Sequence, residues 1–296
     1  MPHLHHAALG LSRTVLLALI LIFTALIYLR GWLSLRSNSL QVRSAWRALS
    51  FLLGLFLIWV AMASPIAALD HELLIIHMLQ HLLLMTLAPP LIWLGAPKDP
   101  MLHALPQRFV ERRLVPWWRS RASRTIGKLL GRPRFAWLAA CVALMGWHIP
   151  TLFALGMRSP GWHLFEHTSF LLTGLLFWWP VVQPAAGLFR QDLSIVLYLF
   201  FATLPCDILS GFLVFSDRVV YPIYFSSSHL LGLSPLEDQQ CAAALMWTCV
   251  TVLYFVVGAI VTMRLLSPHG LPQVGLLQAK VRNGIPQRSS QVVEAL

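Results

Sequence analysis

The chain has 296 residues, of which 57% are hydrophobic and only 11% charged, and its net charge is +11. A soluble domain carries about a quarter charged residues, so this composition excludes a water-soluble globular protein and points to a chain solvated by lipid. Cys141, Cys206, Cys241 and Cys249 lie in or beside apolar runs with no Cys-x-x-Cys pair, which excludes a disulfide framework.

A stretch of about 20 apolar residues spans the hydrocarbon core as a helix. The first such run, 14–33, exceeds the roughly 7–15 residues of a signal-peptide core and reads as a retained helix. Next come 46–64 and 72–96, the latter with Pro89-Pro90 inside it, which should kink the helix in its cytoplasmic half. A basic stretch, 97–133, precedes four further runs at 134–155, 162–183, 192–215 and 241–266. The tail 267–296 is rich in Gly, Pro, Gln and Ser and reads as flexible. The expected fold is an all-α membrane protein, a bundle of seven transmembrane helices forming a single domain over 1–266.

Lys and Arg are retained on the cytoplasmic side of a membrane. With seven spans, one side holds only Arg13, Arg158 and Arg218, and the other holds the remaining 19 of the 22 basic residues. The N-terminus is therefore expected outside and the C-terminus in the cytoplasm, in a bacterial inner (plasma) membrane. Ten of the basic residues lie between Lys98 and Arg134, among Leu, Phe, Val and the pair Trp117-Trp118. That mixture suits an amphipathic helix on anionic lipid headgroups, and no nucleic-acid partner is expected.

Ten of the 12 histidines fall on the outer side or in the outer part of a span, all but His103 and His269. His3, His5 and His6 lie in the N-terminal arm, and His71 and His229 near the ends of outer loops. Five are informative: His77 and His81, His148, and His163 and His167. Counting from each cytoplasmic end at about 1.5 Å per residue puts His81 roughly 22 Å up, His148 roughly 21 Å and His167 roughly 24 Å. Asp207 comes out at roughly 22 Å by the same count. In a core about 30 Å thick, four helices thus carry ionisable groups at one level in the outer third.

His77/His81 and His163/His167 are i, i+4 pairs, so each projects from one face of its helix. A single membrane histidine ordinarily serves as a helix-to-helix hydrogen bonder. Five at one depth point instead to a metal or haem site, with a proton-handling or purely structural polar network as the alternative, because buried ionisable groups in lipid are costly and functional. Imidazole suits copper, zinc, iron and nickel, and the sulfur of Met78, Met145 and Cys206 near this level favours copper. Cys241 and Met246 lie nearer the surface. Asp238 is expected to cap the last helix, and Gln239 and Gln240 to orient a ligating histidine from outside.

Taken together, these motifs resemble the CtaG family of assembly factors for caa-type cytochrome c oxidases, over about 64–264. The resemblance rests on His77-Met78-Leu79-Gln80-His81, on Ala88-Pro89-Pro90 with Leu94-Gly95-Ala96-Pro97, and on Trp147-His148-Ile149-Pro150. It continues through His163 and Glu166-His167, Phe177-Trp178-Trp179-Pro180, Leu204-Pro205 with Asp207, and Tyr221-Pro222-Ile223-Tyr224. It ends with Pro235-Leu236, Asp238-Gln239-Gln240 and Met246-Trp247. Two departures touch the last helix: Ala242-Ala243 stands where Ala-Gly is expected, and Thr248-Cys249 where Pro-Gly is expected. The resemblance implies a role in maturing the oxidase by getting copper into it.

The expected function is thus a cytochrome c oxidase assembly factor that binds copper with His77, His81, His148, His163 and His167. Met78, Asp207, Cys206, Glu166, Asp238, Gln239 and Gln240 rank as secondary ligands or supporting groups. The oxidase subunits are the expected partner. Two alternatives stay open: a haem-binding electron-transfer protein using two of the same histidines, and a metal-free assembly scaffold. No Ser/His/Asp grouping, phosphate-cradling Gly loop or paired-carboxylate site points to an enzyme.

Overall fold

The structure is a computed structural model that describes residues 2–36, 45–182, 193–226 and 232–266. The expectations for the tail 267–296, His229 and His269 fall outside these residues. No strand occurs among the described residues, which are helical almost throughout.

Helix α1 runs over Pro2–Arg36 and α2 over Ala45–Ala63. A 3₁₀ turn over Pro65–Leu69, capped by the Ser64 hydroxyl, leads to α3, Leu74–Leu94. Three short helical pieces follow: α4 over Lys98–Ala104, α5 over 107–119 and α6 over Arg121–Leu130. Then come α7 over Pro133–Trp147, α8 over Pro150–Arg158, α9 over Pro160–Val182, α10 over Leu193–Val214 and α11 over Pro235–Leu266.

Every one of the seven predicted runs is helical, but fewer qualify as spans. Among the described residues, five helices are long and apolar enough to cross a membrane, or six if α7 and α8 form one broken span. The expected continuous helix 134–155 is in fact two pieces meeting at 78°. Pro150 explains the break: it opens α8 and holds the preceding Ile149 in extended backbone. Helix α9, expected as 162–183, has the length at 23 residues. It does not reach the required apolarity, since His163, Glu166 and His167 lie in its N-terminal half.

Apolar side chains face outwards along the long helices, as in Phe23, Ile208 and Phe255, the last 76% exposed. The polar groups His77, Gln80, His81, His148, Glu166 and His167 are buried instead. That inversion is what a lipid solvent selects, because an unsatisfied polar group facing hydrocarbon costs several kcal/mol. It makes this a membrane protein.

Helix α3 departs from regular α-helical bonding just before the proline pair. Pro89 has no N–H for the Met85 carbonyl, and the helix widens to a π turn over Leu83–Leu87. The Trp178 indole N–H from α9 fills the gap, donating to Met85 O at 3.2 Å. One turn below, the Trp93 N–H donates to Leu175 O at 2.8 Å. Gly174 makes this contact possible: a Cβ there would sit 2.7 Å from Met85 O and 2.9 Å from Met85 Cα. Helices α3 and α9 are thereby held backbone to backbone below the histidines.

The ends opposite the histidines gather the basic residues. The Tyr28 hydroxyl of α1 donates to Gly95 O at 2.9 Å, and Gly31 lies directly against the Pro100 carbonyl of α4. The foot of α1, the end of α3 and the start of the basic segment therefore meet on one side of the bundle. Trp117, Ile126 and Leu129 are exposed there among the arginines.

Candidate metal centre

Helix α3 presents His77, His81, Leu84 and Ala88 along one buried stripe, and α9 presents His163, Glu166, His167, Phe170, Gly174 and Phe177. Both stripes follow the 3.6-residue period, so their polar upper turns meet where their apolar lower turns pack. The His77 and His81 ring centroids are 4.2 Å apart, as are those of His163 and His167. Across the helices, His77 stacks on His163 at 5.6 Å, and His81 lies 5.8 Å from His167. His148 joins from the α7–α8 break, 6.0 Å from His81. All five predicted imidazoles are brought together.

Glu166 sits at the middle of the group, more central than its sequence rank. Its Oε1 is 3.4 Å from His77 Nε2 and 3.3 Å from His81 Nε2. The angles do not make hydrogen bonds: both nitrogens of His77 and of His81, both Glu166 oxygens, His163 Nε2 and His167 Nε2 have no hydrogen-bond partner. Glu166 and His77 are fully buried. An ionised carboxylate in such a place costs several kcal/mol unless a cation accompanies it. Three triads have ligand atoms within 4.8 Å of one another: His77/His81/Glu166, His77/His163/His167 and Asp70/His71/His163. With metal–nitrogen bonds of about 2.0 Å, ligands on one ion lie up to about 4 Å apart, so small ring rotations would close each triad.

His148 is arranged differently. Its Nδ1 is 2.7 Å from Leu144 O, which requires Nδ1 to carry the proton, and its Nε2 lone pair faces Met78 Sδ at 3.3 Å. A ring nitrogen and a thioether sulfur, neither with a proton to share, form a soft donor pair beside His81. The Tyr221 hydroxyl donates to His148 O at 3.1 Å and fixes the break from the segment between α10 and α11.

Apolar walls complete the surroundings. Phe153 of α8 packs on His77 at 5.0 Å, and Phe170 on His81 at 4.2 Å. Gly156 lies so close to Glu166 that a Cβ would stand 2.6 Å from Oε2. Below His81 lies a cavity of about 40 Å³ lined by Met85, Cys141, Cys206 and Met246 among others.

The remaining predicted residues serve the frame. Cys206 is buried against Ser210 Oγ at 3.8 Å and reaches the cavity, not the imidazoles. Asp207 turns away to α11 and accepts from the Thr251 hydroxyl at 3.3 Å. Asp238 caps α3 instead of its own helix: its carboxylate accepts the Leu74 N–H at 2.6 Å and the Ile75 N–H at 3.1 Å. Helix α11 is capped by Ser234 and Glu237, whose side chains each accept the other's amide. Gln239 accepts the Val220 N–H at 2.7 Å and donates to Leu213 O and Arg218 O, so it ties down the loop after α10. Gln240 donates to Ser216 O at 3.5 Å in the same loop. Met145 and Cys241 are exposed, away from the cluster.

Asp70, His71 and Gln80 are the residues that sequence reasoning missed. Asp70 Oδ2 is 3.5 Å from His163 Nε2, and Oδ1 is 3.7 Å from His71 Nε2. Gln80 donates to Asp70 Oδ2 at 3.3 Å, and the Tyr224 hydroxyl to Asp70 O at 2.8 Å.

The sequence profile of the cytochrome c oxidase caa3 assembly factors (Caa3_CtaG) matches residues 26–267. The chain belongs to that family. No curated protein and no solved structure matches it. Membership assigns this assembly factor to the maturation of cytochrome c oxidase and makes the oxidase its partner. The matched region takes in all five histidines and Glu166, so the cluster lies within the part of the chain that defines the family.

Proposed function

We propose that this assembly factor binds copper at the histidine cluster in the outer half of a bacterial inner membrane and passes it to the oxidase, with no turnover of its own. One observation carries the reading: five imidazoles and a buried carboxylate converge with most of their ring nitrogens and both carboxylate oxygens lacking hydrogen bonds. The donor set fits the cargo, since imidazole together with a thioether suits copper better than it suits oxygen-seeking cations. The orientation of this reading has the N-terminus outside and α9 as a seventh span. It is supported by the gathering of the basic segment at the bundle end opposite the histidines. Exposed Trp117, Ile126 and Leu129 among arginines support anionic lipid headgroups as the partner of 98–134.

Packing favours copper over haem. The imidazoles stand against one another and against Phe153 and Phe170, and the neighbouring cavity holds on the order of three waters, not a tetrapyrrole.

The test is made in cells that depend on the oxidase. His81→Ala and His167→Ala should leave the protein inserted, because an interhelical polar contact in a membrane averages only about 0.6 kcal/mol. Oxidase activity should fall under copper limitation and partly return with excess copper, as mass action refills a weakened site. His103→Ala, exposed on the basic side, should behave as wild type. Full oxidase assembly by the His81 and His167 variants at limiting copper would remove the copper reading and leave the metal-free scaffold.

A further inference from the structure

The Asp70/His71/His163 triad lies outside the central cluster yet shares a ligand with it. Set in order, the three triads form a chain: Asp70/His71/His163, then His77/His163/His167, then His77/His81/Glu166. His163 belongs to the first and second, and His77 to the second and third. Side-chain exposure falls along the series, from 54% at His71 through 17% at His163 to none at His77 and Glu166. The outermost triad is built, not incidental. Asp70 itself is buried, and Gln80 and Tyr224, from two different elements, hold its carboxylate and its carbonyl.

We propose that Asp70, His71 and His163 form the entry station for copper, which then moves inwards by exchanging ligands that adjacent stations share. The proposal rests on the copper reading above. At the first hand-off His163 keeps its bond while those to Asp70 and His71 break and those to His77 and His167 form. At the second, His77 keeps its bond while those to His163 and His167 break and those to His81 and Glu166 form. Neutral imidazoles supply lone pairs throughout, and no electron changes hands. Each end station carries one carboxylate and the middle one none. The ion therefore rests where a negative charge meets it and passes quickly through the neutral triad, which is what a relay requires.

The experiment follows copper uptake by detergent-purified full-length protein from a chromogenic Cu(I) chelator, in stopped flow under reducing conditions. His71→Ala alters an exposed side chain and leaves the fold alone; Asp70→Asn keeps the shape and removes the charge. Both should load at least ten times more slowly than wild type and reach the same final copper content. His81→Ala should load fast and retain less, and His103→Ala should match wild type in both respects. Wild-type loading rates in His71→Ala and Asp70→Asn would overturn the relay and leave the copper reading standing. A lower end point at unchanged rate would also overturn it, by making these residues part of the retaining site. No uptake by the wild type would overturn both.

Discussion

Glu166 is the residue on which the centre turns. Its carboxylate lies between His77 and His81, where the proposed copper would find a negative charge, and Gly156 is what leaves room for it. Gly156→Ala would push a Cβ to within 2.6 Å of Oε2 and force the carboxylate off its line between His77 and His81. Changes of this kind beside a metal ligand cost roughly 10–100-fold in affinity. A chelator competition titration should show that loss with the helical content unchanged, and an unaltered affinity would count against Glu166 as a ligand. The histidines were legible in the sequence because i, i+4 spacing gives both depth and facing. Asp207 was misread because rise along a helix gives depth alone: its neighbour Cys206 faces inwards, and one residue on is a turn of about 100°. Asp70 and His71 carry no periodicity at all, since they sit beyond a 3₁₀ turn whose path depends on Tyr224 from a loop 154 residues later.

At the scale of elements, the centre depends on two helices meeting at a fixed register. Pro89-Pro90 announces a disturbed hydrogen-bond ladder in α3, met as the π turn over Leu83–Leu87, and that much could be read from the sequence. What could not be read is that the carbonyl left free by Pro89 would be taken by Trp178, or that Gly174 would bring the two backbones into contact. The break at His148 is the same physics seen late. Ile149-Pro150 stops α7, so the predicted run 134–155 could not continue as one helix. Gly174→Ala must spread α3 from α9, since the Cβ meets the Met85 backbone and the rigid Pro89 ring; overpacking of this kind costs about 1–3 kcal/mol. Gly258→Ala in α11 meets nothing within 4 Å and should cost nothing. Thermal unfolding in detergent should separate the two variants, with Gly174→Ala melting lower and retaining less copper. Equal melting temperatures would show that the α3–α9 contact is dispensable.

For the whole molecule, composition was enough to give an all-helical membrane protein and the approximate place of every long helix. Among the described residues five helices qualify as clear spans, or six with α7 and α8 as one, and α9 falls short because it sacrifices apolarity to hold His163, Glu166 and His167. The bundle is thus polar at one end and inside, apolar on its flank, and basic at the other end. That distribution suits the proposed copper reading, in which the polar end faces outwards and receives the ion. Copper K-edge absorption on purified protein loaded with Cu(I) is the most direct test of that account. It predicts one copper per chain with a first shell dominated by imidazole nitrogen at about 2.0 Å, lost in the His77→Ala/His81→Ala double variant. A wild-type protein without bound copper, or a first shell that the double variant leaves intact, would contradict it.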